Sequence, residues 1–131
     1  KVDAGETELR TICSGLKASY SAKELQDKLI ILFANLKPAP LRGIVSYGML
    51  LAGDLTEEKC VLVAPPEGAK PGDRATFKGI TPSEETRELK RKDFEKIELF
   101  AKNSVVYVGE SALEVNGNSV TCAIPDGAGI H

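Results

Sequence analysis

The chain has 131 residues, of which 42% are hydrophobic and 27% charged, and its formal net charge is −2. This length accommodates one domain, or one domain with a subdomain, and the composition is that of an ordinary globular chain. No apolar run is long enough to span a bilayer, so we expect no membrane partner.

The inventory of reactive side chains argues against an enzyme. The single histidine is the last residue, the three cysteines at 13, 60 and 122 lie far apart, and no glycine-rich phosphate loop occurs. We therefore expect no metal, no cofactor and no catalytic residue, so any activity would come from a catalytic domain elsewhere. An odd number of cysteines, with no signal peptide at the start of the sequence, predicts reduced thiols in a cytoplasmic protein.

The first elements follow from local signals. Residues 9–16 are predicted to form a strand. Ser21-Ala22-Lys23-Glu24 is a capping box that predicts a short helix ending near residue 27. The apolar run at 29–34 favours a buried strand within residues 29–36, although a buried helix has the same pattern.

Two prolines separate this strand from the next. Pro38 and Pro40 are expected to end the strand and to hold the link extended, because each ring fixes its own φ and restricts the preceding residue. Residues 44–52 predict a second strand, with positions 45, 47, 49 and 51 on one face if it is regular. Lys37 and Arg42 are predicted at the turn between the strands. Small side chains beside fixed positive charge suit a polyanion better than they suit a reaction.

The overall charge argues mildly against nucleic acid, because phosphate contacts supply most of the non-specific affinity. The distribution of charge matters more, since the acidic residues at 57–58, 84–85, 95 and 98 can lie away from a basic surface.

Further strands are predicted at 59–64 and 75–77, with a turn at 71–73. Several strands with one short helix suit a small barrel of the oligonucleotide/oligosaccharide-binding (OB) type, but periodicity alone leaves barrel and sandwich undecided. The composition changes near residue 79.

Beyond that point, residues 92–101 have helical spacing, with Phe94, Ile97 and Phe100 at i, i+3 and i+6. Asn116-Gly117 is a strong two-residue hairpin signal, because both positions tolerate positive φ. Three short strands are predicted at 104–108, 112–115 and 119–123.

Five segments carry a more specific pattern. They are N-L-K-P-x-x-x-R-G-x-x-S-x-x-M at 35–49, R-T-I-C-S-G-L at 10–16, A-P-P-E-G-A-K-P-G-D-R at 64–74, E-L-K-R-K at 88–92 and G-A-G-I-H at 127–131. In this order, and over nearly the whole chain, they resemble the tRNA-binding domains related to endothelial-monocyte-activating polypeptide II. That family includes bacterial stand-alone tRNA-binding proteins and domains appended to methionyl-, tyrosyl- and phenylalanyl-tRNA synthetases.

The resemblance implies a mainly β fold, with an OB-fold barrel over residues 1–79 and a C-terminal α+β extension over residues 80–131. In eukaryotic relatives such an extension imitates the second subunit of a dimer, so we expect a monomer with a pseudo-dimer interface. Family barrels begin with a strand, and most of a second, before the position that matches Lys1. We therefore expect those first strands to exist as a separate segment or to have been removed.

The motif also marks candidate tRNA-binding residues. Lys37 and Arg42 are expected to contact phosphates without reading sequence, the alternative being solvated turn charges. Ser46 is expected to bind a phosphate or a 2′-OH, and Met49 to pack on a base or ribose. Because the two are three residues apart on a strand, one of them is expected in the core, and Met49 is the stronger candidate.

Four further residues complete the candidate set. Asn35 is expected to bond the turn or a ribose. Arg10 is expected either in the same groove or in a cross-strand ion pair. Arg91 and Lys92 belong to the densest basic cluster, which either extends the RNA-binding surface or is a solvated charge run.

These residues predict a non-catalytic module that binds tRNA by shape and backbone and raises its concentration near an aminoacyl-tRNA synthetase, in cis or in trans. The alternative is a protein-interaction or cytokine-like signalling module that keeps the fold without strong RNA binding, with secretion of a processed fragment.

Overall fold

The computed structural model describes residues 1–14, 16, 19–41, 43–56, 59–78 and 97–130. Within these residues the chain forms one short helix and many short strands. Their bounds are α1 Ala22–Leu25, β1 Leu32–Phe33, β2 Ala39–Leu41, β3 Ile44–Ser46, β4 Met49–Leu50, β5 Ala52–Asp54, β6 Cys60–Leu62, β7 Ala75–Phe77, β8 Leu99–Lys102, β9 Val105–Val108, β10 Ser111–Val115, β11 Asn118–Ser119 and β12 Gly129–Ile130.

Most strands join one antiparallel sheet in the order β11-β10-β9-β8-β12-β5-β6, with β7 pairing to β10. The sheet curls into a half-barrel. Two small ribbons, β1 with β4 and β2 with β3, complete the described strands. The one helix in the described part of the chain, α1, is far too short to cross a membrane.

The core draws on both halves of the sequence. Val63 packs in one buried cluster with Val106 and Val120, and the side chains of all three are inaccessible to solvent. Strand β12 lies between β8 and β5, with Ile130 opposite Gly53, so the sheet also runs across both halves. The division at residues 79 and 80 remains a prediction.

Predictions that rest on local signals are confirmed. Ser21 accepts from the backbone N–H of Glu24 at 3.2 Å, and the Glu24 carboxylate accepts from the Ser21 N–H at 3.0 Å. Asn116 and Gly117 both have positive φ, 53° and 80°, between the paired strands β10 and β11. Strands β7, β9 and β10 lie within a residue of their predicted positions, and β6 lies inside its predicted range but ends two residues earlier.

The predicted strand at 9–16 is not present as a continuous element in the described residues. Arg10 forms an isolated bridge with Val2, and the Thr11 carbonyl accepts from the Tyr47 N–H. The next donor, the Cys13 N–H, bonds the side-chain oxygen of Ser46 and not a backbone carbonyl. A ladder therefore does not propagate past residue 11.

The helix predicted at 92–101 is wrong where the structure describes it. Residues 99–102 form β8, which pairs with β9 on one side and with β12 on the other. Leu99 and Ala101 are buried, whereas Phe100 lies opposite Tyr107 and stacks on it at 6.1 Å between ring centroids. Pairing with distant strands therefore overrides the helical spacing, part of which falls on residues outside the described ranges.

Two other strands are shorter than predicted. The run at 29–36 contributes only β1, and the segment at 119–123 contributes β11 followed by isolated bridges from Thr121 to Ala64 and Val105.

Candidate nucleic-acid interface

The segment that carries the family motif folds as a hairpin. Strand β2 pairs with β3, with Ala39 opposite Ser46 and Pro40 opposite Val45. Pro40 lacks a backbone N–H and cannot donate to a neighbouring strand. It is therefore tolerated in β2 only where no such donor is needed, as on an edge strand. As predicted, the link after the prolines is extended, and it also forms a strand of its own.

Lys37 does not lie at the hairpin turn, which corrects the prediction. The turn falls between Leu41 and Ile44, whereas Lys37 precedes β2 at the open end of the hairpin. At about 3.3 Å per residue, the three residues of β2 span roughly 10 Å between the open end of the hairpin and its turn. Arg42 falls outside the described residues.

The predicted single strand at 44–52 is interrupted by a bend at Tyr47 and Gly48, so that β3, β4 and β5 follow one another as short pieces. A Cβ on Gly48 would lie 3.0 Å from the Phe33 carbonyl oxygen and 3.2 Å from Cδ1 of Ile12. Glycine therefore allows the bend to approach β1 closely. We call residues 46–48 the bend segment.

Ser46 holds the bend segment in place. Its half-buried hydroxyl donates to the Gly48 carbonyl at 3.0 Å and accepts from the Cys13 N–H at 2.9 Å. A hydroxyl has one proton to donate, so Ser46 can donate to a phosphate only by giving up the Gly48 bond. In this geometry the group it can still bind is a donor, such as a 2′-OH.

Met49 starts β4 opposite Phe33 and packs, half-buried, against the core cluster. Of the pair formed by Ser46 and Met49, it is the one in contact with the core, as predicted.

Arg10 ties three segments together. Its Nε and Nη2 atoms donate to the two carboxylate oxygens of Glu6 at 2.5 and 2.9 Å, and Nη1 donates to the carbonyls of Ala34 at 2.7 Å and Tyr47 at 2.8 Å. The ion pair is local, four residues apart, and not cross-strand. This hydrogen bonding raises the pKa of Arg10 and lowers the pKa of Glu6. Arg10 therefore positions the bend segment, with most of its donors already used.

Asn35 and Lys37 are exposed on either side of Leu36, which is buried in the core cluster. Leu36 thus anchors the backbone that presents Lys37. Within the ranges described, no ion pair to Lys37 is formed, so its charge is available to a ligand. Arg91 and Lys92, like Arg42, fall outside these ranges.

The structure therefore brings Arg10, Ser46 and Lys37 to the open end of the hairpin, beside the bend segment. It also shows a feature that the sequence analysis missed. Ile44, Val45 and Tyr47 are 55%, 43% and 47% exposed, although the periodicity placed Val45 and Tyr47 on a shared apolar face with core residues. The glycine after Tyr47, at the point where the strand bends, is the signal that could have revealed it.

A cavity of about 1840 Å³ lies elsewhere, between the stretch from α1 to β1 and strands β7 and β10. Its lining includes apolar side chains such as Leu25, Ile31, Phe77 and Leu113, and its described lining residues include none between 36 and 49. The lining also includes charged side chains such as Lys28 and Arg74, and it shares Asn35 with the candidate interface, but it does not include the bend segment.

The sequence model of the family described as "Putative tRNA binding domain" matches residues 1–74. The chain is 37% identical to tyrosine--tRNA ligase, cytoplasmic, from Danio rerio, over 99% of this chain and 26% of that protein. It is 39% identical to aminoacyl tRNA synthase complex-interacting multifunctional protein 1 from Cricetulus griseus, over 92% of this chain and 34% of that protein. The chain thus spans only about a quarter to a third of the length of these curated relatives.

A solved structure shows which fold the chain adopts. The C-terminal domain of Plasmodium vivax p43 superimposes with a TM-score of 0.86 at 29% identity, covering 98% of this chain and 81% of that one. With the curled antiparallel sheet, this likeness confirms the predicted mainly β, OB-type fold. Because the family match takes in more than half of the sequence, including the whole hairpin and bend segment, the chain belongs to the tRNA-binding domain family.

Proposed function

We propose that this chain binds tRNA through the open end of the β2–β3 hairpin and the bend segment, as a module appended to or assisting an aminoacyl-tRNA synthetase. The observation that carries the proposal is the family match, since residues 1–74 contain every described residue of this surface. The relatives support it, because two of the proteins that the chain resembles are named as a tRNA ligase and as a protein that interacts with the synthetase complex.

The residues take different roles in this proposal. Exposed Lys37, with Arg42, Arg91 and Lys92, contacts phosphates, which fix register without reading sequence. Asn35 contacts a ribose, and Ser46 accepts from a 2′-OH, the group that distinguishes RNA from DNA. Arg10 and Met49 support the surface, Arg10 by its bonds to the bend segment and Met49 by its contact with the core.

The biological consequence is a higher local concentration of tRNA. A tethered second binding site acts at an effective concentration of about millimolar for short flexible linkers. The partner is a synthetase catalytic domain, in the same chain or in another, in the cytoplasm. The module itself does no chemistry, and residues 80–131 imitate a second subunit so that it acts as a monomer.

The test is tRNA binding by fluorescence anisotropy between about 50 and 200 mM salt, the range over which phosphate contacts weaken steeply. Replacing Lys37 with alanine lowers the slope of log affinity against log salt by about one, and adding Arg42→Ala lowers it further. Lys102→Ala, an exposed lysine at the end of β8, is the matched control and leaves the slope unchanged. An affinity that salt and the double variant both leave unchanged contradicts the proposal.

The signalling alternative is separated by a second measurement. A pull-down of synthetase with and without ribonuclease distinguishes association through RNA from direct protein contact. A complex that survives ribonuclease, from a chain with no tRNA affinity at physiological salt, favours the protein-interaction module.

A further inference from the structure

Tyr47 is an exposed aromatic residue at the centre of the proposed interface. Resting on the proposed function, we propose that the Tyr47 ring is a stacking platform for one unpaired nucleobase of the bound RNA. This assigns to the surface a base contact in addition to its phosphate contacts.

Tyr47 differs from the other two tyrosines of the chain. The hydroxyl of Tyr20 accepts from the Leu62 N–H at 3.0 Å, and Nζ of Lys28 lies 5.3 Å from the centre of its ring. Tyr107 stacks on Phe100. Tyr47 is 47% exposed, and within the described ranges neither its ring nor its hydroxyl has such a contact. Two tyrosines therefore support the fold, whereas the third is about half exposed and has no aromatic or cationic partner among the described residues.

The backbone that carries this ring is fixed on both sides. The Tyr47 N–H donates to the Thr11 carbonyl at 2.9 Å, and the Tyr47 carbonyl accepts from Arg10 at 2.8 Å. The next residue, Gly48, is held by Ser46 and packs closely against β1. Only the two side-chain torsions of Tyr47 remain to be ordered, so a ligand that covers the ring loses little conformational entropy on binding.

The local charge favours a base over a phosphate at this position. The Arg10 guanidinium that contacts the Tyr47 carbonyl is paired on its other side with Glu6, whose lowered pKa keeps it ionised. The Glu6 carboxylate offsets the positive charge of Arg10, so this pair attracts a phosphate much less than a free arginine would, whereas a neutral base needs no charge. Among the described residues Lys37 forms no ion pair, so phosphates are directed to Lys37 and a base to the Tyr47 ring.

The partner class follows from the same geometry. Aromatic side chains recognise RNA by stacking on bases in loops, bulges and ends, since bases within a duplex are already stacked. The ring thus requires an unpaired base, and it tolerates any of the four, because each has a π-face.

Affinity measurements on three variants test the assignment. Tyr47→Ala weakens tRNA binding by roughly 5- to 150-fold, the range expected for one base–aromatic stack, without changing the salt slope. Tyr47→Phe keeps the ring and binds tRNA with an affinity close to that of the parent chain. Ile44→Ala removes an equally exposed apolar side chain from β3 and serves as the matched control. A blunt RNA duplex without unpaired bases is bound equally by all variants.

A spectroscopic measurement does not depend on affinity. The sequence has no tryptophan, so Tyr47→Trp introduces a single indole fluorophore. Its emission is quenched on binding tRNA and not on binding heparin, a polyanion without bases.

The two proposals fail in different ways. If the parent chain binds tRNA with the expected salt slope but Tyr47→Ala binds it equally well, or loses tRNA and duplex to the same extent, stacking is overturned and tRNA binding stands. If Tyr47→Ala instead loses only a ribonuclease-resistant synthetase complex, the exposed ring docks a protein and stacking is again overturned. A parent chain without tRNA affinity overturns both proposals.

Discussion

The hydroxyl of Ser46 offers a direct test of whether a motif residue acts on RNA or on the fold. Ser46→Ala removes one acceptor and one donor. The Cys13 N–H, on a half-buried residue, loses its partner, and so does the Gly48 carbonyl. A net hydrogen bond contributes about 0.5–1.5 kcal/mol, and an unpaired buried donor costs about 1–3 kcal/mol. Because both groups are only partly buried, the expected loss in the free energy of unfolding is about 1–3 kcal/mol.

For a chain of this length a loss of 1 kcal/mol lowers Tm by about 3–5 °C, so Ser46→Ala is expected to melt about 3–15 °C lower. Thermal unfolding followed by circular dichroism measures this shift. Ser46→Thr keeps a hydroxyl and is expected to retain most of the stability that Ser46→Ala loses. Binding of tRNA, measured at a temperature well below both transitions, falls as well, because the bend segment that carries Tyr47 loses its internal bond.

A structural role for the Ser46 hydroxyl is refuted if Ser46→Ala has the same Tm as the parent and yet loses tRNA affinity. That result would mean that the hydroxyl acts only through its contact with RNA and that its two internal bonds contribute nothing to stability.

Two further predictions concern stability. The first concerns acid, because the hydrogen bond from Arg10 lowers the pKa of Glu6 below its ordinary value of 4.5. The stability that this ion pair provides is therefore present above pH 4.5 and is lost as the pH falls through the lowered pKa. Acid titrations followed by circular dichroism should therefore show a weaker pH dependence below 4.5 for Glu6→Gln, and identical curves would contradict the pair. In the core, Val63→Ala and Val120→Ala each remove two buried methyl groups and cost about 2–3 kcal/mol. Because both valines belong to one cluster, each variant should lower one cooperative urea transition, and two separable transitions would show that the halves unfold independently.

Features that depend on interactions between near neighbours in the sequence could be predicted, whereas features that depend on distant residues could not. The capping box of Ser21 and Glu24 and the hairpin at Asn116 and Gly117 depend on neighbours within three residues, and both are present as predicted. Strand β8 shows the opposite case, since its partners are β9, which follows closely, and β12, nearly thirty residues later. Its apolar spacing fits a helix equally well, and only burial on a sheet selects the strand.

The candidate site shows the same division. The motif marked Lys37, Ser46 and Met49 as candidate binding residues, and the family match over residues 1–74 includes all three. Their individual geometry did not follow from spacing. Lys37 lies at the open end of the hairpin and not at its turn. The Ser46 hydroxyl donates its hydrogen bond to the Gly48 carbonyl. Hydrogen-bond partners of this kind depend on how the chain bends, which residue spacing does not encode.

The sequence by itself determined the family, the short helix, the tight hairpin and the absence of a long apolar segment, because each of these depends on residue identity and close spacing. The tertiary structure decided that Arg10 reaches carbonyls 24 and 37 residues away and that Tyr47 remains about half exposed. Contacts over such separations form only when distant strands share one core. They placed Arg10 in a structural role and, among the described residues, left Lys37 exposed without an ion pair.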